Sequence, residues 1–275
     1  MTIWHKISTI DRRILFILMF LAVAVPLVFN FYLPNRITRE VRSTYDFIEN
    51  LPDGSVILFS FDHDAATLPE MKPMAEALLY HVFNKGFKVV GIAFRAEGSA
   101  IGIQALHQAG DYFGFIEGED YVFLGFRPEI TSGILGMGEN IARVYPRDYR
   151  GIPVDDIPLM QRVDNYNDIA LVVSVSDDDT PIFWVNYANA RYKQAVVPAI
   201  TAVMATTFYP FLQEKQIVGM VPGLKAAAEY EQLVGRPGDA TIGMSAQSIA
   251  HFMIILFVII GNVGYFMLRR QRGSA

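Results

Sequence analysis

The sequence predicts an α/β fold: a doubly wound, mostly parallel sheet, a Rossmann-like layer sandwich, held between N- and C-terminal transmembrane helices. Three observations predict it. Two uncharged apolar stretches of 20 residues each, Ile14–Leu33 and Ile249–Leu268, stand near the two ends of the chain. At about 1.5 Å per residue, ~20 helical residues cross a hydrocarbon core of ~30 Å. Between them, short apolar β-branched runs alternate with longer stretches of helical periodicity, the pattern of strands buried on both faces. Several of those runs end in acids or in Gly- and Pro-containing turns, where such sheets place their connections.

The elements follow in order. Ser55–Phe61 is a buried strand, and Pro69–Asn84 a helix with Met74, Ala77, Leu78, His81 and Val82 at helical spacing. Lys85 and Gly86 end that helix, a cation in the last turn with Gly after it. Phe87–Phe94 is the second strand, Ser99–Phe113 a helix, and Tyr121–Gly125 the third strand. The segment 127–167, rich in Pro and Gly, reads as an excursion with at most one short helix. Ile169–Val175 is the fourth strand, Thr180–Tyr192 a helix, Ala195–Ile200 the fifth strand, Gln216–Val221 the sixth, and Gly223–Val234 a strong helix.

The implied division is a cytoplasmic N-terminus 1–13, a span 14–33, an α/β domain 34–248, a span 249–268 and a tail 269–275. Lys and Arg near span ends set orientation. Arg269, Arg270 and Arg272 follow the second span at once, whereas Gly238–Ser248 has no Lys or Arg. The C-terminus is therefore expected in the cytoplasm, and with two spans the N-terminus too, leaving the domain extracytoplasmic on a multi-pass plasma-membrane protein. The first span decides nothing, with Lys6, Arg12 and Arg13 before it and Arg36, Arg39 and Arg42 after it. Ala22-Val23-Ala24 fits a signal-cleavage pattern, but the chain stays apolar to Leu33, so the segment reads as an uncleaved anchor. Pro26 is expected to kink this helix, and His251 reads as an interfacial residue. Gly261 and Gly264 offer a small contact surface without GxxxG spacing.

Charged residues make up 19% of the chain and the net charge is −5, which gives no basis for nucleic-acid binding. The chain has no Cys, which excludes disulfides, thiolate metal sites and Cys nucleophiles. The five His show no paired metal-ligand spacing, so no metal site is expected, and no particular cofactor is indicated. The only conceivable metal cluster, His63 beside two Asp, reads better as a solvated loop. The expected partners are the lipid bilayer and other membrane subunits or a homo-oligomer.

The sharpest motif is Asp62-His63-Asp64-Ala65-Ala66-Thr67, at the end of the first strand. It resembles the first motif of the haloacid-dehalogenase-like phosphotransferases. That likeness implies Asp62 as nucleophile, Asp64 as general acid, and acids from a later strand, here Asp177, Asp178 and Asp179, for Mg²⁺. Two Ala precede Thr67 where the family has Thr two residues after its second Asp. On the residues alone these acids also suit turns and helix N-caps, with Asp179 or Thr180 capping the helix at Pro181.

The second candidate is Gly219-Met220-Val221-Pro222-Gly223-Leu224-Lys225, a strand running through a turn into a helix whose N-terminus suits an anion. The competing reading is a tight βα connection. Gly133-Ile134-Leu135-Gly136-Met137-Gly138 contains a GxG but follows no clear strand. The candidate ligand-binding set is therefore Asp62, Asp64, Asp177, Asp178, Thr201, Gly219, Gly223 and Lys225. The catalytic residues stay unassigned.

Asn165–Ile169, Gly118–Gly125 and Gly223–Leu233 resemble an uncharacterised family of prokaryotic membrane proteins with two terminal spans. The likeness covers most of the chain and implies the same architecture with no particular activity. That family carries Gly where this chain has Pro222 and Ala226, which speaks against a glycine phosphate loop. The expected function is a membrane-anchored protein whose domain binds a small ligand or a partner subunit. The alternative is a Mg²⁺-dependent phosphohydrolase of haloacid-dehalogenase-like type.

Overall fold

The computed structural model describes residues 11–29, 32–34 and 36–272. It divides into a compact α/β unit, Asn35–Ala240, and a unit made of the two terminal segments. Lys6 and most of the predicted N-terminus, residues 30 and 31 of the first span, and the end of the tail lie outside the described residues.

Six strands form one parallel sheet in the order β3-β2-β1-β4-β5-β6. They are β1 (Val56–Asp62), β2 (Lys88–Ala93), β3 (Tyr121–Phe126), β4 (Leu171–Ser176), β5 (Val196–Ile200) and β6 (Val221–Pro222). Strands β1 and β4 are buried along nearly their whole length, as continuous apolar runs require when helices cover both faces.

Phe59 and Phe61 point to one face. There lie α3 (Leu68–Asn84), α4 (Ala96–Phe113) and α10 (Gly223–Leu233), with α2 (Arg39–Glu49) packed on α10. Glycines let α4 approach. A Cβ on Gly98 would fall on the Phe61 carbonyl, and one on Gly102 would meet the rings of Phe61 and Phe123.

Leu58, Ser60 and Asp62 point to the other face, in register with Val172, Ser174 and Ser176 of β4. This face is covered by the long β3–β4 connection, by the helical segment after β4, and by α9 (Ala205–Gln213), which supply Ile134, Met137, Ile141, Tyr145, Tyr166, Trp184 and Phe208 to the core.

Several elements differ from expectation. The excursion holds two short helices, α5 (Ile130–Met137) and α6 (Ile141–Val144), and three 3₁₀ turns, rather than at most one helix. The glycines of 133–138 form a packing surface: Cβ atoms at Gly133, Gly136 and Gly138 would collide with Phe94, Val144 and Tyr192. The helical segment after β4 comprises α7 (Thr180–Phe183), a π-helical stretch (Trp184–Asn189) and α8 (Ala190–Tyr192).

The sixth strand shrinks from Gln216–Val221 to two residues, and Pro198 supplies a reason. Val218 N–H donates to the Val196 carbonyl, so alternate residues 196, 198 and 200 face β6. Pro198 has no N–H to offer on that side, and ladder pairing resumes only at Ala199↔Val221. Helices α2 and α9 had no counterpart in the sequence reading.

Among the described residues two helices are long and apolar enough to cross a membrane, α1 (Arg12–Phe29) and α11 (Asp239–Arg272). Pro26 lies inside α1 and is its buried residue. Helix α11 starts about ten residues before the predicted span, with Asp239 in its first turn, where an acid suits the helix dipole.

Candidate functional site at the strand-order reversal

In a sheet of order 3-2-1-4-5-6 the chain leaves β1 toward β2 on one side and returns to β4 on the other. The crevice at their carboxyl ends is where such sheets bind ligands. Asp62, the last residue of β1, is in register with Ser176, the last of β4. His63 and Asp64 continue from one strand, Asp177 and Asp178 from the other. The apolar runs end here because the chain emerges from between its helical layers.

Asp62 is fully buried. Its Oδ1 accepts the Phe94 N–H at 2.6 Å and its Oδ2 accepts the Ser60 hydroxyl. Burial pushes its carboxyl up to about 7, against the lowering effect of those hydrogen bonds and with a further push from the Asp178 charge.

Asp177 accepts the Thr67 hydroxyl at 2.7 Å and the Asp64 N–H at 3.1 Å on Oδ2, and Arg95 Nη1 at 3.1 Å on Oδ1. Asp178 accepts the Ser176 hydroxyl at 2.7 Å and the Thr180 N–H at 2.8 Å on Oδ1, and Arg95 Nη1 at 3.2 Å on Oδ2. Burial would raise the Asp178 carboxyl, but hydrogen bonds from Thr180 and Ser176 and the Arg95 charge outweigh it and hold it below the usual range. The cap on α7 is thus Asp178; Asp179 sits at the N-cap position without a side-chain bond, correcting the expectation of Asp179 or Thr180. Asp64 accepts the Ala66 N–H at 2.7 Å and comes within 4.0 Å of Arg95.

Arg95, just past β2 at the start of α4, was missed by the sequence reading. Its guanidinium is gathered by Asp64, Asp177 and Asp178, and it stays about one third exposed. Burial opposes its charge, but Asp177, Asp178 and Asp64 more than compensate and raise its pKa. Ser60 and Ser176, which hold Asp62 and Asp178, were missed as well, since serines inside apolar strands carry no pattern.

His63 is not in a solvated loop. It is fully buried, with Nδ1 3.4 Å from the Asp64 carbonyl and Nε2 without a hydrogen-bond partner. Burial lowers its pKa, against the raising effect of the Asp64 carbonyl and the Asp177 and Asp64 charges. Among the described residues no group of three or more His, Cys, Asp or Glu is arranged to hold a metal ion.

The other candidates divide. Thr201 follows β5 and begins the 3₁₀ turn Ala202–Met204. The Ala202 N–H donates to Glu70 Oε1 at 2.8 Å, and a Cβ on Gly223, whose φ is +76°, would crowd both Ala202 and Glu70. Ala202, the residue after Thr201, and Gly223 therefore meet at the carboxyl ends of β5 and β6, around a Glu70 that the sequence reading did not single out. Gly219 and Lys225 do not join either group. Gly219 lies against α2, where a Cβ would strike Thr44. Lys225 pairs with Glu229 one turn along α10, and Glu229 also accepts the Thr38 N–H and hydroxyl at 2.7 Å. The turn after β6 is a packed βα connection with its cation committed elsewhere.

Comparison with protein-family models, with curated proteins and with solved structures finds no match to this chain. The class of protein rests on the architecture itself: an α/β domain carrying two terminal apolar helices.

Proposed function

We propose that this is a membrane-anchored binding protein. Two anchors fix an extracytoplasmic α/β domain at the plasma membrane, and the strand-order reversal takes a small polar ligand or a partner subunit. One observation carries the reading: Asp62, Asp64, Asp177 and Asp178, from two separated stretches of chain, are brought together with Arg95 at the sheet edge. A half-exposed edge offering both a guanidinium and carboxylate oxygens can match a ligand's acceptors and donors together.

The phosphohydrolase alternative asks more of the same residues. Asp62 needs a free oxygen to attack phosphorus, yet both of its oxygens are engaged and the side chain is buried. A divalent cation needs the space among Asp64, Asp177 and Asp178, which the Arg95 guanidinium fills. The binding reading is therefore favoured over chemistry at this edge.

Native mass spectrometry of the full-length protein, extracted gently from its own membranes, tests the proposal. The wild type is expected to carry a reproducible added mass that Asp177→Ala loses, with Glu97→Ala on the exposed side of α4 as a control that keeps it. An added mass retained in full by Asp177→Ala, or no added mass on the wild type, would remove the site.

A further inference from the structure

Asn262 lies within the uncharged stretch that ends at Leu268, roughly 9 Å inside that end at 1.5 Å per residue. It is exposed on α11. Its amide donates one N–H to the Val258 carbonyl of its own helix at 2.8 Å, which leaves the second N–H and Oδ1. Along the described helix α1, Ile14–Phe29 carries no polar side chain to pair with them. Gly264 is buried whereas Asn262 is exposed, so the amide lies off the covered face of α11. In lipid a polar group without partners is costly, and such groups turn toward another helix.

We propose, resting on the membrane-anchored reading, that two copies of this chain associate through α11 with their Asn262 amides hydrogen-bonded to each other. The occupant follows from symmetry. Every copy inserts in one orientation, so the polar group certain to be found at the depth of Asn262 is Asn262 of a second copy. An amide is its own complement, donor to acceptor in both directions. The surrounding face suits a helix pair. Ile255, Val258, Asn262 and Tyr265 recur at spacings of three and four, and the three apolar members are 58%, 55% and 59% exposed. That is the a/d repeat of a two-helix seam, in which one buried Asn fixes register. Arg269 continues the repeat beyond the end of the uncharged stretch, where its long side chain reaches the headgroups instead of its twin.

The Cys-free chain allows a direct test in native membranes with full-length single-Cys variants. Oxidation of Val258→Cys is expected to yield a disulfide-linked species of twice the monomer mass, and Ile260→Cys, on the opposite side of the helix, to yield little. Adding Asn262→Leu to Val258→Cys should weaken association about 3- to 30-fold, the effect of an interhelical polar contact in a bilayer, with Asn262→Gln retaining most of it. Equal cross-linking at 258 and 260, no effect of Asn262→Leu, or an adduct of unequal mass would overturn the self-pairing. Carbonate-washed membranes separate the two ideas. A chain washed off the membrane refutes the anchors; a chain that stays but does not cross-link refutes the pairing alone.

Discussion

Asp62→Asn is expected to abolish a loss of stability that this protein suffers as pH rises from about 4 to about 7. The Asp62 carboxyl titrates near 3.8 unfolded and is raised to about 7 in the folded chain. The folded state therefore holds a proton that the unfolded state has released between those values. Its contribution is fully present below about pH 4 and is lost as pH rises toward 7. A shift of about three units corresponds to about 4 kcal/mol. Asn keeps the acceptor for the Phe94 N–H, and its amide can donate to Ser60, so the geometry survives without the titration. Relative to wild type, the variant should gain about 4 kcal/mol between pH 4 and pH 7. Thermal unfolding of the full chain in detergent, followed by fluorescence of the buried Trp184, reads this out. Stability curves that run parallel across that window would show that Asp62 is ionised in the fold.

Gly98→Val should be among the most damaging single changes in the domain. A Cβ there falls on the Phe61 carbonyl, and backbone in a central strand cannot move aside as a flexible side-chain tip would. Helix α4 would have to lift from β1, exposing Phe61 and Phe123 and displacing Arg95 at its start. Overpacking costs about 1–3 kcal/mol where neighbours can relax, so the expected loss is about 3 kcal/mol or more. Glu97→Val, at an exposed neighbouring position, should change stability by less than about 1 kcal/mol. A Gly98→Val protein within about 1 kcal/mol of wild type would show that α4 does not approach this closely.

The parts of this fold that the sequence disclosed were those with a repeated physical signal. Buried parallel strands must be apolar on both faces, so β1, β2, β4 and β5 stood out as continuous runs, and Asp62, Asp177 and Asp178 stood out as the acids that end two of them. Arg95 did not, because one cation after a strand resembles any helix start; only its convergence with Asp64, Asp177 and Asp178 gives it meaning. Helix α2 did carry a signal, with Val41, Thr44 and Ile48 buried at spacings of three and four, but a threonine on the inner face interrupts the apolar count. Strand β6 was overread because Ile217, Val218 and Val221 look like a strand, whereas the cause of its shortness, Pro198, sits in the neighbouring strand. Gly219 and Gly223 looked alike in sequence. One relieves a close helix contact, and the other takes a left-handed turn, a difference set by neighbours distant in the chain.

The central claim is that two anchors hold the α/β domain outside the cytoplasm. It rests on Arg269, Arg270 and Arg272 beside the second apolar stretch and the Lys- and Arg-free approach from Gly238. Single-Cys labelling in intact cells tests it most directly. A membrane-impermeant maleimide is expected to label Ala100→Cys, at an exposed position of α4, and to reach Ser274→Cys only after the cells are opened. Labelling of Ser274→Cys in intact cells with Ala100→Cys protected would place the domain in the cytoplasm and contradict the account.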